Sequence, residues 1–139
     1  MTTAQAILII GGLANFLFSA LVGYLVLWVR ARDVHAHMSR YSIVAHTNAI
    51  MNASLLLGLA VAIPHTGFLP AINIGIAIAE VIATVLANVR NVVSWKGGFD
   101  DAVAQGSDAA NRLRGLANML HLFDAAAILY GVTRTALGV

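Results

Sequence analysis

Residues able to do chemistry stand inside stretches of this chain that otherwise avoid water. SRYSIVAHTNAIMNASLLLGLAVAIPHTGF (39–68) carries His46, Asn48 and Asn52. A later apolar run holds Glu80, Thr84 and Asn91 at spacings of four and seven, with Asn73 on the same line and Asn88 close to it. At 100° per residue these share one face of a helix. Further on, Asn118, His121 and Asp124 follow at spacings of three. Imidazole nitrogen is the commonest protein metal ligand. His46 has no acidic neighbour on its own segment, so the sequence marks it as a candidate cofactor ligand. His121 with Asp124 reads as a closed pair, the carboxylate accepting the ring N–H. Asn and Thr are expected to bond between helices. His35 and His37 fall in a basic loop and read as solvated, and His65 follows Pro64 as a turn residue.

Four segments must position these groups. The chain has 139 residues, 60% hydrophobic and 10% charged. Soluble domains have about 25% charged residues, so lipid is the expected solvent. Charge-free runs cover Ala6 to Trp28 and Tyr41 to Ile63. Ala71 to Val89 holds only Glu80, and Gly115 to Val132 only Asp124. Each approaches the length of about 20 residues that spans a bilayer. The reading is all-α: one integral membrane domain over 1–139, a four-helix bundle with helices at about 5–29, 41–63, 71–93 and 113–135. Met1 to Gln5 lacks a basic region, so the first span is expected to be retained. Cysteine is absent, which excludes disulfides and thiolate chemistry.

The connections fix an orientation. Arg30, Arg32, Arg40, Arg90, Lys96, Arg112 and Arg114 fall on one side, and only Arg134 does not. The positive-inside rule then puts the first and third connections in the cytoplasm. This clustering also explains the basic balance without nucleic-acid binding. The third connection, with Gly97, Gly98 and Gly106, reads as a lid or a linker. His46 and His121 each lie roughly 10 Å inside the basic boundary at 1.5 Å per residue, and Asn52 and Glu80 lie near mid-bilayer. Six residues turn Asn52 about 120° from His46. One helix cannot easily aim both at one small ligand, whereas a flat cofactor between two copies could meet both. This predicts a homo-oligomer with its site at subunit boundaries.

His46, Asn52, Pro64, Gly67 and Phe68 carry a resemblance. In this spacing, over about residues 40–95, the chain resembles the styrene oxide isomerase family of small bacterial membrane proteins. The resemblance implies a trimer holding haem b between subunits, in a bacterial inner membrane. It implies that His46 is the axial ligand and that Asn52 lies at a small hydrophobic substrate. The implied reaction turns epoxides into aldehydes by Lewis-acid ring opening and a 1,2-hydride shift. The family places a tyrosine on its third helix, where ungapped alignment puts Asn91. His121 and Asp124 have no counterpart there. Two other readings remain open. His46 and His121 at matching depth would suit bis-imidazole ligation in a b-type electron carrier. Glu80 at mid-bilayer would suit a small proton-coupled transporter.

Overall fold

The computed structural model describes residues 1–33, 40–98 and 108–138, with the side chains of 108–110 excepted. Every regular element among them is helical: α1 (Thr3–Arg32), α2 (Arg40–Ala62), a 3₁₀ turn (Ile63–His65), α3 (Pro70–Lys96) and α4 (Asp108–Leu137). All four α-helices contain spans long and apolar enough to cross a membrane. The expected all-helical architecture is therefore present. Residues 34–39 and 99–107, which include His35, His37 and Gly106, lie outside the described residues.

The helix ends follow local chemistry. Thr2 caps α1 with a capping box: Gln5 N donates to Thr2 Oγ1 at 3.2 Å, and Thr2 N donates to Gln5 Oε1 at 2.8 Å. Pro70 opens α3 at a position where its missing N–H costs nothing. Gly98 follows the end of α3 at φ +64, a conformation natural to glycine.

The spans run up and down. Gln5 Nε2 donates to Ala60 O at 3.1 Å, joining the start of α1 to the end of α2. Arg90 sits 5.9 Å from the Tyr41 ring, joining the start of α2 to the later part of α3. Small residues let α1, α2 and α3 approach closely. Ala4, Leu8, Gly11, Gly12, Asn15, Ser19 and Val22 form the buried stripe of α1. A Cβ at Gly11 would lie 2.6 Å from Val81 Cγ2, and one at Gly12 3.0 Å from Leu57 Cγ. Close backbone approach through small residues is how helices gain contact in lipid, where apolar burial alone gives no drive.

The fourth helix departs from a square bundle. It packs on α3 and on the 3₁₀ turn and scarcely meets α2. Its seat is Gly131, where a Cβ would lie 2.8 Å from both Thr66 Cβ and Thr66 O. The turn is tied internally: Thr66 Oγ1 lies 3.0 Å from both Ile63 O and Asn73 Oδ1, and Asn73 Nδ2 donates to Ile63 O at 3.3 Å.

Polarity is divided along the bundle. Leu8, Leu56, Ala60, Ile63, Ala77 and Ile128 build the apolar core at the turn end. The buried polar groups Asn15, Ser19, Asn88, Asn91 and Ser94 occupy the half toward the basic connections. Outward faces such as Leu13, Leu17, Ile82, Val85, Leu122 and Phe123 are exposed apolar surface, as a lipid-facing helix requires.

Candidate functional site

His46 projects from the side of α2 toward α1. Its Nδ1 lies 2.9 Å from the Ser19 carbonyl and 2.8 Å from the Ser19 hydroxyl. A carbonyl only accepts, so the ring proton sits on Nδ1. The Ser19 hydroxyl has its own outlet, donating to His46 O at 3.0 Å. Nε2 meets no hydrogen-bond partner among the described residues, and the side chain is half-buried. Gly23 makes room for the ring: a Cβ there would lie 3.1 Å from His46 Cε1. Ligating histidines commonly donate their second ring N–H to a carbonyl or carboxylate, which fixes tautomer and direction. His46 therefore has the donor chemistry and the second partner that a haem iron requires.

Asn52 stands on the buried stripe of α2 with Ala45, Ala49, Ala53 and Leu56. It is 7% exposed, and its Nδ2 has no acceptor. Asn91 is buried on α3 with its Oδ1 lacking a donor. Buried amides without partners are uncommon, and each calls for an explanation such as a bound water, ion or ligand. Asn48, by contrast, is only half-buried.

The inward stripe expected on α3 is present: Glu80, Thr84, Asn88 and Asn91 are all buried. What they meet includes residues the sequence did not single out. Asn88 Nδ2 donates to Asn15 Oδ1 at 2.7 Å, and Asn15 Nδ2 donates to Gly11 O at 2.9 Å while lying 3.3 Å from Thr84 Oγ1. Asn15, Ser19 and Gly23 repeat every four residues, and that spacing is the signal that could have found them. Asn15 and Asn88 also floor a groove of about 420 Å³ between α1 and α3, walled by Phe18, Val85 and Val92 and ending at Lys96.

A second polar group lies between α3 and α4. His121 Nδ1 donates to Glu80 Oε1 at 2.7 Å. His121 Nδ1 is thus taken by Glu80 rather than by the expected partner, Asp124, which is buried one turn further along α4. Asn118 is exposed, although it is spaced evenly with the other two. A spacing of three falls short of a full turn by 60°, so the series turns about 120° around α4 from Asn118 to Asp124.

The remaining motif residues have structural roles. Pro64 belongs to the 3₁₀ turn, and Gly67 takes φ +68 in the connection that follows. Phe68 Cε2 would lie 3.0 Å from a Cβ at Gly131. His65 is exposed at the end of that turn, as a turn residue would be. Comparison with family models, with curated proteins and with solved structures found no match.

Proposed function

We propose that this chain is a membrane-embedded haem b protein with His46 as its protein ligand, and that it isomerises small hydrophobic epoxides to aldehydes. The observation that carries this reading is the state of His46: Nδ1 is occupied by Ser19 at 2.9 Å, and Nε2 meets no hydrogen-bond partner among the described residues, on a half-buried ring. On this reading a second copy supplies the other wall of the site, and the working form is a homo-oligomer, a trimer by the resemblance. When bound, ferric haem b supplies a Lewis acid for opening the epoxide C–O bond, and the hydride shift that follows yields the aldehyde.

The chain's own residues do the rest. Ser19 holds His46 in the tautomer that ligates. Asn52 has an amide donor to spare for an oxygen gaining negative charge, the type of contact that lowers such barriers most. Asn91 differs from a phenol in kind: its unpartnered atom is Oδ1, which accepts a hydrogen bond and does not donate one. The alanines and Leu56 beside Asn52 keep water from a cationic carbon that water would trap.

The second ligand candidate, His121, is better explained otherwise. Its Nδ1 is bonded to a carboxylate buried at mid-membrane, which needs a counter-ion. The His121 ring faces α3, whereas His46 faces α1 and α4 scarcely meets α2, so the two rings have no common site for one haem. The bis-imidazole carrier is therefore the weaker reading.

The test is an absorption spectrum of protein purified from a haem-replete host, with an assay for aldehyde from styrene oxide. A Soret band lost in His46→Ala and kept in His121→Ala is expected, with aldehyde formed. Colourless protein, or pigment indifferent to His46→Ala, overturns the proposal.

A further inference from the structure

The Glu80, Asp124 and His121 group is not used by that chemistry and has an account of its own. Glu80 is 1% exposed and Asp124 7% exposed, both within membrane spans. Each has one buried oxygen, Glu80 Oε2 and Asp124 Oδ2, that receives no hydrogen bond from the described residues. Asp124 follows His121 by three residues on α4, and the His121 ring is bonded to Glu80 at 2.7 Å, so the three groups belong to one buried cluster between α3 and α4.

The surrounding elements supply no other charge. On α1 no ionisable side chain occurs between Gln5 and Tyr24, and on α2 the only one between Tyr41 and the helix end is His46, which faces Ser19. On α3 the next is Arg90, and on α4 the flanking ones are Arg114 and Tyr130, each more than a turn away. Glu80, Asp124 and His121 must therefore neutralise one another. With both carboxyls ionised and the imidazole protonated, the group carries a net charge of −1. One further proton brings it to zero, the state that burial favours.

We propose that Glu80, Asp124 and His121 form a proton-binding site inside the bilayer, with one proton on a carboxyl and another on the imidazole. Glu80 is the innermost member, and His121, with its side chain 23% exposed, is the outermost. Release of the carboxyl proton changes the charge of the α3–α4 seam by one unit.

Infrared spectroscopy of the whole protein in lipid tests this. At neutral pH the wild type should show a C=O band of a protonated carboxyl that shifts in D2O. Glu80→Gln and Asp124→Asn should each remove it, because one carboxylate facing one imidazolium is already neutral. Circular dichroism and gel filtration establish that the variants fold. The wild-type spectrum alone suffices if they do not: absence of the band overturns the proposal, as does a band that survives both substitutions.

Discussion

The tautomer of His46 depends on two features of α1 that act differently. The Ser19 carbonyl belongs to the backbone and survives any substitution there, whereas the hydroxyl, 2.8 Å from Nδ1, does not. Gly23 acts by having no side chain, since a Cβ would press to 3.1 Å against the ring. Ser19→Ala should weaken haem binding modestly, and Gly23→Ala should weaken it by roughly 10-fold or more, the scale seen when the groups that orient a ligand are disturbed. Titration of the apoprotein with hemin measures both, and equal affinities across wild type and variants would show that α1 does not position the ring. His46 and Glu80 were legible in the sequence because polar groups in apolar runs need a reason to be there. Ser19 and Asn15 were not. Such residues can bond to their own helix four residues back, as Asn15 does to Gly11, and so they look self-sufficient. Gly23 has no side chain to notice.

Among the elements, α4 shows where pattern and packing part. Its existence and approximate length follow from composition, but the face it presents does not, because its polar residues drift around the helix rather than aligning. Asn118 points outward for that reason. The glycines divide in the same way: Gly131 is buried against Thr66, whereas a Cβ at Gly115 would meet nothing within 4 Å. Gly131→Ala forces atoms against the Thr66 carbonyl, a backbone group that cannot swing aside. It should cost about 1–3 kcal/mol, the usual penalty for overpacking. Gly115→Ala should leave the melting temperature unchanged or slightly raised. Thermal unfolding in detergent compares the two, and equal melting temperatures would mean that Gly131 is not the seat of α4. The Pro64, Gly67 and Phe68 motif belongs to the same joint, so its spacing from His46 reflects the length of α2 and the build of its turn.

For the molecule as a whole, the bundle sorts its charges by end. Arg32 lies over the Trp28 ring at 3.7 Å, and Arg90 stands near Tyr41 at the same end. The connection between α2 and α3 carries no Lys or Arg. Because the chain has no cysteine, Leu69→Cys and Lys96→Cys provide single reporters at opposite ends, position 69 being 70% exposed. A membrane-impermeant thiol reagent applied outside intact cells should label position 69 and spare position 96 until the cells are broken. Labelling of both from one side would contradict the transmembrane arrangement.

The place of α4, resting on α3 and little else, bears on how the protein is made. Glu80 leaves the ribosome 41 residues ahead of the histidine that will accompany it. A charged residue at the centre of a lone helix costs about 2.5–3.5 kcal/mol to insert. The third segment should therefore integrate less readily alone than together with its successor. A chain cut short before that successor should leave its third segment only partly integrated, and an early-acting quality-control protease would find it there.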